Sequence, residues 1–430
     1  MLRCAARRRL AILCFTVAVC LAPPVTILAA DCTTTSVGLT PLSDLGAGLY
    51  LGREGGLYPG GSNVRPPAHE SAGLAETASV VPRDAAGVPD PVSGRIVLLT
   101  IGMSNTSQES NAFASVANQD PERHPRVMIV NGAQGGQTAA VISDPNAAFW
   151  AVIDQRLADR GVTREQVQAL WYKEANAQPS GGFPAHAETL RAQSERIMAI
   201  IRARYPNARL CYCSSRIYAG YATTALNPEP YAYESGFSIK WLIEEQIAGD
   251  PALNFDPDQG AVVSPWLSWG PYLWADGLSP RSDGLVWECA DLSADGTHPS
   301  PQGAAKVAAM LLQFFKTDAT TRPWFLRQTT DVPETSPAPG TLSTAPNPFR
   351  DATAIRLAAG RTYEHARIDI VSASGRLVRR LASGRIDPGT QTYSWDGLDE
   401  KGRRAPAGVY VVRVHATDET IAAKEIVRLR

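Results

Sequence analysis

Four short, unbroken apolar runs dominate the first two-thirds of the chain: Arg95–Gly102, Val127–Val130, Ala169–Tyr172 and Ala208–Cys213. None alternates with polar residues, and unbroken runs of this length suit strands buried on both faces. Between them the period changes. Ala187–Arg204 places Leu190, Ile197 and Ile201 on one helical face, and a further helix fits near Ser238–Ala248. Pro301–Lys316 is punctuated like a helix, with Ser300 as N-cap, Pro301 at the first helical position, and Ala304, Ala308, Leu311 and Phe315 on one face. Strands that alternate with helices predict an α/β domain, a parallel sheet wound on both sides.

The remaining segments do not follow this rhythm. Residues 31–94 are rich in Gly, Pro and Ala and read as an ordered but irregular lead-in. Residues 216–290 carry many aromatics among Pro and Gly and read as an insertion walling a site. Trp266, Trp269 and Trp274 could stack on sugar faces there, but packing suits them better. Asp276 and Asp283 read as turn residues. Residues 327–345 form a linker rich in Pro, Ser and Thr. Beyond it the period falls to two: Ala366–Val371 and Gly408–Val414 are strand-like, with turns at Ser374-Gly375, Asp387-Pro-Gly389 and Asp399–Gly402. About 85 residues of short strands predict an antiparallel β-sandwich over 346–430.

Composition and charge narrow the function. The 430 residues are 44% hydrophobic, enough for more than one core, and carry a net charge of −1. The tail is net +5 and the first thirty residues net +4, which leaves −10 on the body between them. An acidic body excludes nucleic acid as partner and favours a neutral substrate. Arg3, Arg7, Arg8 and Arg9, the apolar run Leu10–Ala22 and the small pair Ala29-Ala30 give residues 1–30 the pattern of a signal peptide, so a secreted or surface location is expected. Past that segment four cysteines remain, Cys32, Cys211, Cys213 and Cys289; an even number in an oxidising compartment suggests disulfides, with three pairings open.

Candidate chemistry sits at the strand exits. Gly102-Met-Ser-Asn105 ends the first run; Ser104 alone would serve as a loop cap, but strand ends line the ligand crevice of open α/β sheets. A hydroxyl nucleophile needs a base. Asp295-Gly-Thr-His298 supplies an imidazole with a carboxylate three residues away to hold it. Asn131–Thr138 brings glycines and Glu174-Ala-Asn176 an amide, the N–H groups an oxyanion requires. No Gly-x-Ser-x-Gly elbow and no His-Glu-x-x-His occur, and no metal or other cofactor is expected.

The order nucleophile, Gly, Asn, Asp-x-x-His over residues 95–316 resembles the SGNH (GDSL-like) hydrolases, with Asp295–Gly303 the most specific stretch. The resemblance implies an SGNH/flavodoxin-like doubly wound sheet and a secreted ester hydrolase. Ser104 would be the nucleophile, His298 the base and Asp295 its orienter. Ser104 N–H, Gly136 (with Gly135 as the alternative) and Asn176 would be the oxyanion donors. Trp171–Ala177 also looks like the Asn block of carbohydrate O-acetyl esterases in that clan, which implies a small ester or acetylated carbohydrate as substrate. Met103 stands where the family has Asp. With the aromatic insertion, it favours the alternative of an inactive carbohydrate-binding or adhesion protein on a hydrolase scaffold. In the tail, Asn347-Pro-Phe349, Gly375–Val378, Trp395-Asp-Gly397 and Ala407–Tyr410 resemble the Ig-like domain of flagellar hook-capping (FlgD) proteins and the C-terminal sorting domains of type IX secretion. That likeness implies export machinery or cell-surface attachment as a partner.

Overall fold

The computed structural model describes residues 29–327, 341–359, 361–372, 375–416 and 419–429. Nearly all of the expected signal segment and most of the expected linker lie outside them. The chain divides into two compact units, 1–328 and 329–430.

The first unit is built on a five-stranded parallel sheet. β1 (Leu49–Tyr50) and β2 (Arg53–Glu54) form a small hairpin ahead of it. The sheet comprises β3 (Ile96–Gly102), β4 (Val127–Asn131), β5 (Val167–Lys173), β6 (Leu210–Cys213) and β7 (Trp266–Trp269), in the order β4-β3-β5-β6-β7. Every residue of β3, β5, β6 and β7 is buried, the signature of a sheet covered on both faces. The helices α1 (Pro67–Ala78), α2 (Ser104–Gln119), α3 (Ala148–Asp159), α4 (Ala185–Arg204), α5 (Tyr231–Ile247) and α6 (Pro301–Thr317) complete the unit. Ser300 caps α6 by accepting the Gly303 N–H at 3.3 Å, as its sequence indicates. Counting core strands from β3, the sheet runs second, first, third, fourth, fifth. The topological switch, where such sheets open a crevice, therefore falls between β3 and β5.

Three expectations need correction. The insertion 216–290 contains the fifth strand, β7, and α5 starts at Tyr231, ahead of the expected Ser238. The lead-in is not irregular throughout: it holds the β1-β2 hairpin and α1, and its Leu42, Tyr58 and Val80 join the core of the first unit. Asp276 is more than a turn residue, since it accepts hydrogen bonds from Ser36 Oγ and the N–H groups of Val37 and Gly38, and so pins the lead-in down. Trp266, Trp269 and Trp274 are buried, and their indole N–H groups donate to His69 O, Leu57 O and Glu229; they pack the insertion and offer no open stacking wall. Among the described residues no helix is long and apolar enough to cross a membrane.

Of the three possible cysteine pairings, one bond forms: Cys32 to Cys289. Cys211 and Cys213 stay as buried thiols within β6. The bond joins the lead-in to the loop ahead of α6, across 257 residues.

Among its described residues the second unit has seven strands in two antiparallel sheets. β8 (Thr341–Ala345), β9 (Thr353–Ala359) and β12 (Gly389–Trp395) form one, in the order β12-β9-β8. β10 (Tyr363–Ser372), β11 (Leu377–Ile386), β13 (Gly408–Ala416) and β14 (Glu419–Arg428) form the other, in the order β11-β10-β13-β14. β8 starts inside the segment read as linker. Between the sheets Trp395 packs against Phe349 and Tyr410, with ring centroids 5.4 and 5.0 Å apart, among Ile355, Ile368, Val412 and Ile426. This is an Ig-like sandwich, as the period-two pattern predicts.

Closing so long a loop constrains the unfolded chain. Replacing both Cys32 and Cys289 by Ser should therefore lower the stability of the first unit by about 2–4 kcal/mol. Calorimetry on parent and double variant checks this: the melting transition of the first unit should fall while that of the tail stays in place.

Candidate active site

Ser104 is the first residue of α2, immediately after β3. The N–H groups of a first helical turn have no partner within the helix and carry its positive end. The N-cap, Met103, offers them no side-chain acceptor. Gly102 has no freedom to be anything larger: a Cβ there would lie 2.2 Å from Lys173 O and 2.4 Å from Thr106 Oγ1. This contact seats the nucleophile loop directly on the end of β5.

His298 arrives from the other end of the chain. Ser104 Oγ lies 2.7 Å from His298 Nε2, and Asp295 Oδ2 lies 2.5 Å from His298 Nδ1. Asp295 Oδ1 accepts the backbone N–H groups of Thr297 and His298, each at 3.0 Å. Partial burial pushes the Asp295 carboxyl up, but those N–H groups and the imidazole outweigh it and hold it below its ordinary value. Asp295 is thus an anion at neutral pH, fixed on both oxygens, with its ring partner aimed at the hydroxyl.

The remaining loops are laced to this pair. Gln134 N–H donates to Gly102 O at 2.9 Å, which draws the glycine loop over Ser104. Of its two candidate glycines, Gly135 faces the serine: a Cβ built on it would stand 3.8 Å from Ser104 Cβ, whereas one on Gly136 meets nothing within 4 Å. Gly136 instead takes the left-handed turn, at φ +73°. Asn176 is held through its side chain, Oδ1 accepting Ala140 N–H at 3.0 Å and Nδ2 donating to Gln193 Oε1 at 2.6 Å. An amide nitrogen has two N–H groups, so one is left to donate elsewhere.

Two positioning residues escaped sequence reasoning. Asn105 Nδ2 donates to Thr297 O at 2.9 Å, tying the start of α2 to the histidine loop. Arg216, buried, donates to the same carbonyl at 3.3 Å. A Ser-Asn pair after a buried strand could have signalled the first; a lone Arg in an aromatic insertion signals nothing.

Beneath the loops lies a cluster of buried charge. Lys173 Nζ donates to both oxygens of Glu109 at 2.6 Å, one residue being 1% exposed and the other not at all. Burial pushes the Lys173 ammonium down to about 8 and the Glu109 carboxyl up, and each is opposed by the other's charge. Burial holds the Glu174 carboxyl well above the usual carboxylate range. Its Oε1 has no partner among the described residues.

Residues 349–420 match the family model of the FlgD Ig-like domain. No curated protein matches the chain. A carbohydrate acetylesterase from Xanthomonas citri aligns at 12% identity over 77% of this chain and 78% of its own, with a TM-score of 0.29. The periplasmic domain of a lipopolysaccharide acetyltransferase from Salmonella ser. Paratyphi A aligns at 12% identity over 51% of this chain and 83% of its own, with a TM-score of 0.29. Dimeric latent PorU from Porphyromonas gingivalis aligns at 20% identity over 21% of this chain and 10% of its own, with a TM-score of 0.18. This chain thus spans about a tenth of the length of PorU.

Removing one member of a buried ion pair strands the other charge. Lys173→Met should destabilise the first unit by about 3–5 kcal/mol, and adding Glu109→Leu should recover most of that loss. Urea unfolding of the two variants measures both effects; a single variant as stable as the parent would refute the pairing.

Proposed function

We propose that the chain is an exported serine ester hydrolase that acts by acyl transfer. The observation that carries this reading is the hydrogen-bonded line from Ser104 Oγ to His298 Nε2 and from His298 Nδ1 to Asp295, whose carboxylate is held ionised. The same line favours the enzyme over an inactive binding protein, because a lapsed site has no need of an imidazole fixed from both sides.

Ser104 Oγ attacks the ester carbonyl as His298 Nε2 takes its proton, and Asp295 stabilises the imidazolium. The oxyanion is held by Ser104 N–H, by the free N–H of the Asn176 amide and by the Gly135 N–H. Gly135 replaces Gly136 in that role because it stands beside the serine. Collapse of the intermediate breaks the bond to the alcohol, which leaves with the proton from His298. Water, deprotonated by His298, then attacks the acyl-serine and releases the acid. Met103 does not block this sequence, since no proton or bond passes through that position. The expected substrates are O-acetyl groups on carbohydrate. The tail serves delivery to, or attachment at, the cell surface, and no step of the chemistry draws on it.

With p-nitrophenyl acetate, Ser104→Ala should lose nearly all turnover. Asn176→Ala, which removes one oxyanion donor, should lower kcat by roughly 100- to 1000-fold. The reading fails if purified, folded Ser104→Ala cleaves the ester as fast as the parent.

A further inference from the structure

Asn176 itself lines a partly open cavity of about 270 Å³ that neither Ser104 nor His298 lines. It lies between α4 and α5, where His186, Gln193, Tyr231 and Ser235 line it together with Asn227. Ten of its fourteen lining residues have polar side chains, and none of the fourteen is Lys, Arg, Asp or Glu. The volume is near the ~300 Å³ lower end of small-molecule sites, room for one ring and its substituents.

Asn227 gives the cavity its chemistry. It is 5% exposed. Its Nδ2 donates to Asn176 O at 3.0 Å, while its Oδ1 has no partner among the described residues. A buried acceptor without a donor is costly unless something fills the place, by about 1–3 kcal/mol. Through its Nδ2 hydrogen bond, Asn227 also ties this wall of the cavity to the Asn176 backbone. The opposite wall is fixed: His186 Nε2 is hydrogen-bonded to Glu234, which also accepts Tyr50 O–H at 2.6 Å. The Tyr231 ring stands edge-on to His186 at 4.7 Å.

We propose that this cavity is the subsite for the alcohol part of the substrate, and that it takes a neutral hydroxylated ring, an uncharged sugar, in preference to a uronic or sialic acid. The proposal rests on the acyl-transfer reading, which puts the ester carbonyl at Asn176 and hence the alcohol next to it. A chain of amides, hydroxyls and one imidazole exchanges hydrogen bonds with sugar hydroxyls. A long acyl tail would strand these groups without partners. A sugar carboxylate would enter with no Lys or Arg among the lining residues and with Glu234 behind His186, so its lost hydration is not replaced.

The test is equilibrium binding to Ser104→Ala, which cannot turn over, using mono-O-acetylated methyl glucosides and the matching glucuronates. The glucosides should bind at least tenfold tighter than the glucuronates, since the two differ only by a carboxylate. Adding Asn227→Leu should weaken glucoside binding by at least tenfold. Adding Tyr231→Phe, which keeps the ring in place, should weaken it several-fold and covers the case in which Asn227→Leu does not fold. Equal binding of glucuronates, or glucoside binding untouched by a folded Asn227→Leu or by Tyr231→Phe, overturns the proposal. Activity of the parent on p-nitrophenyl acetate reports the triad alone. An active parent whose Ser104→Ala form binds no glucoside therefore keeps the enzyme reading and loses the subsite.

Discussion

The site depends on one buried hydrogen bond, from the Asn105 side chain to the carbonyl of Thr297, across 192 residues of sequence. Ser104 and His298 belong to different ends of the chain, and their side chains reach each other only if the start of α2 and the loop before α6 are locked in register. Asn105 is 2% exposed, so its amide has no water to fall back on, and the carbonyl it meets is shared with buried Arg216. A misfit here would leave two polar groups unpaired in the interior, which makes the correct docking of the loops strongly preferred. The Cys32–Cys289 bond and the Ser300 N–H to Asp291 O hydrogen bond restrain the same loop from its other side.

The charges under the loops follow a related logic. Glu109, Lys173, Glu174 and Arg216 are buried beneath these loops, a place where an α/β core is usually apolar. Their links are directional: Lys173 Nζ donates to both Glu109 oxygens and Arg216 to Thr297 O, while half-buried Glu229 accepts from Ala219 N–H, Tyr233 N–H and Trp274 Nε1. Such a network adds little net stability compared with packed apolar side chains, but each link has a fixed direction. It therefore specifies the height at which each loop leaves the sheet, which a greasy interface could not do to a few tenths of an ångström.

The parallel strands were legible because burial on both faces requires unbroken apolar runs, and β3 to β6 have them. β7, Trp266-Leu-Ser-Trp269, was not: it is four residues long, contains a serine, and sits among aromatics and prolines that read as irregular. The hydrogen-bonded line of Ser104, His298 and Asp295 was legible because it needs particular residue types, a Ser at a strand exit and an Asp three before His. Which glycine lies beside the serine was harder to read, since Gly135-Gly136 offers two equal residues and only the path of the turn separates them. Nor could spacing pair the cysteines: Cys32 and Cys289 meet because the lead-in folds back over the insertion, guided by contacts such as Asp276 with Ser36 that leave no mark in the sequence. In the tail the period of two was a sufficient guide, because a sandwich with one face packed imposes it on strands such as β13.

Met103 is best understood through the helix it precedes. An Asp at that position would be a favourable cap for α2 and would bring a negative charge to the positive end of the helix. Met103 does neither, and α2 starts without a side-chain cap. The omission costs the helix about 0.5–2 kcal/mol relative to a capped one. In return, the first-turn N–H groups remain available to a negative charge that develops beside Ser104, which is where the proposed chemistry creates one. Because Asp295 already orients His298 through three hydrogen bonds of its own loop, a second carboxylate next to the serine would add repulsion to the oxyanion without adding order to the base.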